Sequence, residues 1–443
     1  MKRMSKLLVM AVILSGGLLS CTTSSMEEEE SSFDLGEAKH VVSMLSEEPI
    51  QLTQEQYTFA CSNNRFTLNF LKTVNEADQS GKSFIYSPLS VTYVLGMVND
   101  AAAGQTEKEL EQTLGFQEGG IQAVNDYCKK LIEGLPKVDN KVTLNMANAL
   151  FVNKNRATLK AQYQQDMLTY YDAKAENLDF TSSSALNTIN GWASDHTNNM
   201  IPKILDNIDP SVFTYLLNAI YFKADWASKF DQKNTREESF TTDKGLTKLP
   251  LMHQKVLINY LKNDTYSAIE MPYGNGSWEM TVMLPENGKT TDDIINRISQ
   301  CGILEGHGFC GTMGDTYRAY EVDLKLPRFE TSSDTDELSI GLIGLLKQMG
   351  IHLAFDSEFA EIPNMCETGD VYISMMRQKA KIKVSEEGSE AAAVTIAGVK
   401  NECASTIPVE YPKATFHANK SFIYVISERS SGVILFVGKF TGQ

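Results

Sequence analysis

The residues best suited to chemistry in this 443-residue chain are its six histidines, its seven cysteines and one run of small side chains between Glu386 and Cys403. The histidines, His40, His196, His253, His307, His352 and His417, include no H-E-x-x-H pair that would set two imidazoles on one helix face around a metal. No G-x-S-x-G turn presents a nucleophilic serine, and no G-x-x-x-x-G-K-[ST] loop cradles a phosphate. There is no C-x-x-C pair. Cys301, His307 and Cys310 have a ligand-like order, but they supply only three donors in a Gly-rich stretch and read better as a surface loop, with a local Cys301 to Cys310 disulfide as an option. A catalytic centre, a metal and a cofactor are therefore not expected.

What remains is mechanical. The stretch from Lys383 through Glu386, Glu387 and Gly388 to Lys400 enters a glycine and continues in small residues, too weakly helical for a core helix and too β-branched for a pure linker. Every second residue gives Ser389, Ala391, Ala393, Thr395, Ala397 and Val399 on one face, with Glu390 on the other. Such a segment can stay extended in solvent and still slide into the middle of an existing sheet, its small side chains on the buried face.

A large sheet is needed to receive it. Helical spacing of apolar residues predicts helices over Phe66 to Val74, Leu89 to Val98, Gln105 to Leu114, Tyr163 to Tyr171, Ala185 to Asn199 and Ser339 to Met349. Short β-branched runs predict strands over Leu144 to Val152, Thr214 to Phe222, Tyr266 to Met271, Trp278 to Leu284, Tyr320 to Pro327, Phe422 to Ile426 and Val433 to Val437. Early helices followed by many antiparallel-looking strands argue for one α+β domain over residues 51–443. Forty basic against 56 acidic residues, for a formal charge of −16, exclude nucleic acid as a natural partner.

In this order of motifs the chain resembles a serpin. Glu386 to Ala393 is similar to the family's hinge, Glu-x-Gly-[Thr/Ser]-Glu-Ala-Ala, so the resemblance assigns that role to Glu386, Gly388, Ser389, Glu390, Ala391, Ala392 and Ala393. Phe84 to Ser90 fits the element ending in Ser-Pro-x-Ser, and Ala147-Asn148-Ala149-Leu150 fits the Ala-Asn-x-Leu strand. Asn190-Gly191-Trp192, Leu217 to Lys223 with Trp226 and Phe230, Met271 to Tyr273, Leu326 to Phe329 and Leu435 to Gly438 follow in family order.

The resemblance implies a serpin fold, with helices packed around three β-sheets and an exposed reactive-centre loop over about 386–412. It implies a suicide-substrate inhibitor of serine proteases, with cysteine proteases as a further option: a monomer that forms a covalent acyl complex with its target and inserts the cleaved loop as a central strand. A non-inhibitory serpin and a surface lipoprotein binding glycan or protein ligands are the competing readings. The family's cleaved bond usually follows the fourteenth residue after the hinge glycine, which names Glu402, followed by Cys403. Glu402 suits a glutamate-preferring protease. The loop is long, so Lys400 for trypsin-like enzymes and Val399 or Cys403 for elastase-like enzymes stay open, and an exposed Cys403 thiol is also open to oxidation. Where the sheet must part, Ser87, Ser90 and Asn218 match the family's shutter, while the usual histidine is replaced by Gln378, which can donate and accept hydrogen bonds but does not titrate.

Lys2, Arg3 and Lys6 precede an apolar stretch from Leu7 to Leu14 that is too short to span a bilayer, the pattern of a secretory signal over residues 1–20. Leu18-Leu19-Ser20-Cys21 resembles the bacterial lipobox, which implies lipidation of Cys21 and attachment to a membrane outside the cytoplasm, at the outer membrane or the cell surface. Residues 21–50 read as a lipidated acidic tether. Their run Glu27 to Glu30 either resembles the export signal of Bacteroidetes surface lipoproteins or is a solvated charge run.

Overall fold

The computed structural model describes residues 39–40, 48–78, 80–117, 119–300, 316–368, 371–389 and 410–443. Its helices are α1 (Gln54–Ala77), α2 (Pro88–Ala101), α3 (Gly104–Leu114), α4 (Gly120–Gly134), α5 (Ala161–Tyr171), α6 (Ser183–His196), α7 (Thr291–Ser299) and α8 (Gly341–Gln348). α2 shows why a Ser-Pro pair opens a helix. Ser87 caps it by accepting from the Ser90 N–H, and Pro88 fills the first turn, where its missing donor costs nothing. Almost every residue of α2 is buried, as befits a helix that is apolar around its whole circumference.

One sheet has the order β11 (Phe329–Asp334), β12 (Met375–Val384), β13 (Gly388–Ser389), β5 (Thr214–Asp225), β3 (Thr143–Asn153) and β4 (Lys174–Leu178). β3 and β5 are apolar on both faces because both are covered. Leu144, Leu150, Leu216, Ile220 and Phe222 point into the main core, whereas Ala147, Ala149, Phe151, Tyr215, Leu217 and Ala219 pack with Ile189 and Trp192 of α6.

The second sheet has the order β14 (Lys413–His417), β10 (Arg318–Pro327), β7 (Gly245–Lys262), β8 (Tyr266–Tyr273), β9 (Trp278–Pro285), β15 (Phe422–Glu428), β16 (Ile434–Phe440) and β2 (Phe84–Tyr86). β1 (Lys39–His40) and β6 (Arg236–Thr242) pair with β7 as well.

The α+β serpin architecture stands, with two differences from expectation. Among the described residues, hydrogen bonding joins the strands into two sheets rather than three. The cause is the 18-residue β7, which pairs with β6 at one end, with β8 at the other, and with β10 between. Residues 21–50, expected as a tether, contribute β1, which runs parallel to Val256 and Leu257 of β7; backbone pairing of this kind needs no apolar side chain. Apart from residues 48–50, the rest of that segment, with Cys21, lies outside the described residues, as do Cys301, His307 and Cys310. No helix among the described residues is long and apolar enough to cross a membrane.

Candidate functional site

β5 and β12 lie side by side at one end of the six-stranded sheet and are held apart at the other. Their parallel pairing runs from Tyr215 opposite Met375 to Ala219 opposite Lys379. Further along, β13 stands between them, antiparallel to both, with Gly388 opposite Asp225 and Ser389 opposite both Ala224 and Val384. Of residues 386–389, expected at the start of an exposed loop, Gly388 and Ser389 are therefore inside the sheet, with Ser389 fully buried, and Glu386 just before them is 2% exposed. Side-chain size explains the difference. A Cβ on Gly388 would overlap the Ala224 carbonyl oxygen, so only glycine passes that point. Ser389 is short enough to face the core, where its Oγ shares a hydrogen bond of 2.7 Å with Tyr273 Oη.

The entry point is locked by groups from four other segments. Glu386 accepts two hydrogen bonds from the Arg328 guanidinium, the longer at 3.1 Å, and one from Thr235 Oγ1 at 2.6 Å. Burial pushes the Glu386 carboxyl up, but Arg328 and Thr235 outweigh it and hold the group below its ordinary value, ionised at neutral pH. Lys229 Nζ bridges Glu387 at 2.6 Å and Asp225 at 2.8 Å. The Trp226 backbone N–H donates to the Glu387 carbonyl, its indole N–H donates to the Ser385 carbonyl, and its ring stacks on Tyr273 with centroids 4.3 Å apart. Trp226 and Tyr273 stood out in the sequence only as family motif residues, and Arg328 only as one residue of Leu326 to Phe329. Thr235 and Lys229 carried no signal, because the residues they lock, Glu386 and Glu387, lie 151 and 158 residues away from them.

Where β5 and β12 touch directly, Ser87, Ser90, Asn218 and Gln378 come together. Gln378 Nε2 donates to the Ser87 carbonyl at 2.8 Å and to Asn218 Oδ1 at 3.3 Å, and Gln378 Oε1 accepts from the Ser87 N–H at 3.0 Å. Ser87 Oγ donates to Leu435 O at 2.7 Å and lies 3.1 Å from Ser90 Oγ, while Asn218 Nδ2 reaches Asn148 Oδ1 at 2.9 Å. Gln378 is fully buried and spends its whole amide on this junction. Gln378→Leu is expected to strand the Ser87 backbone groups and to lower unfolding free energy by about 2–5 kcal/mol, measured by denaturant titration. A loss below about 1 kcal/mol would mean that the junction is not held through this side chain. Glu390, Ala391, Ala392, Ala393, Val399, Lys400, Glu402 and Cys403 lie outside the described residues.

Residues 61–442 match the family Serpin (serine protease inhibitor), and the chain belongs to that family. It is 30% identical to the leukocyte elastase inhibitor of Sus scrofa, over 86% of this chain and 98% of the relative. Among solved structures it is similar to Serpin48 of the insect Tenebrio molitor, with a TM-score of 0.74 and 27% identity over 88% of this chain and 99% of that one. Human thyroxine-binding globulin shares the architecture as well, with a TM-score of 0.71 and 25% identity over 87% of this chain and 98% of that one. The family is one of protease inhibitors rather than enzymes, and its partners are target proteases.

Proposed function

We propose that the chain inhibits a serine protease as a suicide substrate, its cleaved loop extending β13 down the whole gap between β5 and β12. The observation that carries this reading is one of register. β12 runs 160 residues ahead of β5 in the direct pairing, Met375 opposite Tyr215, and the offset is the same across β13, where Val384 and Ala224 both oppose Ser389. The sheet can therefore part sideways by one strand without either neighbour sliding. Carried on in that register, Ala391 opposes Phe222 and Ile382, Ala393 opposes Ile220 and Ala380, and Thr395 arrives between Asn218 and Gln378, whose hydrogen-bonding groups its hydroxyl can engage. The outward face matches too, since Glu390 falls between Lys223 and Lys383.

In this reading Glu386, Gly388, Ser389, Glu390 and Ala391 to Ala393 act as the hinge, and Ser87, Ser90, Asn218 and Gln378 as the shutter. The protease serine Oγ attacks the bait carbonyl, the amine of the next residue leaves with a proton, and an ester joins the enzyme to the loop. Insertion then competes with hydrolysis of that ester. The register reaches Thr214, the first residue of β5, at Val399. A bond after Glu402 leaves residues 400–402 as a leash to the enzyme, whereas a bond after Val399 leaves none, and this supports Glu402–Cys403 as the bait.

Lipidation at Cys21, which would hold the inhibitor on a membrane outside the cytoplasm, belongs to the same proposal. A glycan platform is disfavoured, because Trp192, Trp226 and Trp278 are all buried. Incubation with trypsin, an elastase and a glutamate-specific endopeptidase tests the reading. A complex that survives SDS is expected with at least one of them. Cleavage by all three without such a complex would make the loop a mere substrate and the protein a non-inhibitory member of the family.

A further inference from the structure

Three side chains from three strands of the ten-stranded sheet meet on one face near its β14 edge. His253 on β7 and His417 on β14 both oppose Lys325 of β10, and Asp323 lies two residues along β10 on the same face. Their ligating atoms, one from each residue, all fall within 4.8 Å of one another. His253 Nε2 is 2.6 Å from Asp323 Oδ1, and His417 Nε2 is 3.5 Å from Asp323 Oδ2. The two imidazoles thus flank the two oxygens of one carboxylate.

A simple polar cluster accounts for only half of this arrangement. His253 and Asp323 satisfy each other, but His417 Nε2 is buried and makes no hydrogen bond, although it is aimed at the same carboxylate. A buried ring nitrogen left in that state costs stability unless something else uses its lone pair. Lys325, which both histidines oppose on β10, does not serve it, since its Nζ pairs with Glu238 at 2.7 Å. Two imidazoles and one carboxylate form a donor set suited to a divalent transition metal, whose ligands would sit about 3.4 Å apart around bonds of ~2.1 Å. The present separations lie on either side of that spacing. Beside Asp323 a hollow of ≈ 290 Å³, lined also by Lys255, Glu321, Lys413, Ala414 and Thr415, leaves room for the solvent ligand that completes a three-donor site.

We propose that His253, Asp323 and His417 bind a divalent transition-metal ion such as zinc, and that the ion clips β14 to β10 and β7. The clip has a structural consequence. Among the described residues β14 is an edge strand whose backbone pairs with β10, and it follows the loop segment directly in the chain. A metal bound through His417 would therefore oppose detachment of the segment on the C-terminal side of the loop. Motif spacing could not have revealed the site, because its donors are separated by 70 and 94 residues and are joined only by strand pairing.

Zinc and cobalt titrations of the full chain, followed by calorimetry and by cobalt absorption in the visible, test the proposal. One saturable site of micromolar affinity or better is expected, with zinc raising the unfolding midpoint. His417→Ala and His253→Gln should each weaken zinc binding at least tenfold and abolish that rise, while His352→Ala should change neither. His253→Gln keeps a group able to hydrogen-bond Asp323, so it guards against a trivial loss of fold, and unfolding of the metal-free variants provides a second check. Absence of saturable binding by the wild type, or wild-type affinity in either site variant, would overturn the assignment.

Discussion

Ser389→Arg is expected to abolish the SDS-stable protease complex and leave the loop fully cleavable. Ser389 has no exposed surface, and its Oγ already bonds Tyr273 beneath the stacked Trp226 ring. A guanidinium there would need a charged partner in a buried pocket where the serine hydroxyl meets one phenol, and the nearby Glu386 carboxylate is already taken by Arg328 and Thr235. Burying it unpaired costs several kcal/mol. A penalty of about 3 kcal/mol on the first step of insertion slows it roughly 100-fold. Ester hydrolysis at an unchanged rate then wins the competition, and the protease is released active after each cleavage. Ser389→Ala is the matched control. It gives up one hydrogen bond, about 1 kcal/mol, but keeps the small side chain, so complexes should persist. Stable complexes formed by the arginine variant would count against insertion through this gap.

The elements that could be read in advance were those with a single period. α2, β5 and β9 have one apolar pattern nearly from end to end, since each is buried along almost its whole length. β7 escaped because its pattern changes along its length: residues 245–250 are largely exposed beside β6, and the strand becomes mostly buried from Leu251 on. β12 escaped for another reason. Its residues alternate, but with Arg377, Lys379, Lys381 and Lys383 on one face and a buried Gln378 on the other, so it looks too polar for a central strand. Ion pairs supply what the pattern hides, among them Arg377 to Asp334 at 2.5 Å and Lys381 to Glu330 at 2.7 Å. At the site, local chemistry was legible in the glycine and the small residues after it. Their lock was not: Arg328, Thr235 and Lys229 act on Glu386 and Glu387 across long sequence separations, and no spacing rule reaches that far.

Cleavage within residues 399–403 should raise the unfolding temperature by about 10 °C or more, because the cut frees the loop to complete the sheet. Among the described residues the gap holds the two residues of β13, and the strands on either side share their backbone pairing from Tyr215 to Ala219 and from Met375 to Lys379. An inserted strand from Ser389 to Val399, about 35 Å long at ~3.4 Å per residue, would pair with β5 on one side and β12 on the other along its length. It would also set Val394 and Ile396 on the face that α6 covers and Ala391, Ala393 and Ala397 on the core face, where Leu216, Ile220 and Phe222 already point. The uncut chain cannot reach this state through the same path, since the loop must still connect at its far end to β14 on the other sheet. Thr395→Arg makes the comparison specific. Its hinge is intact and its bait bond is untouched, so it should be cut as fast as the wild type, yet its side chain would meet Asn218 and Gln378 halfway down the gap and halt the strand there. Calorimetry of both proteins before and after limited proteolysis reads the difference. A large rise for the wild type with a rise of a few degrees or less for Thr395→Arg is the expected pair of results, whereas equal rises would mean that the stabilising rearrangement does not pass between Asn218 and Gln378.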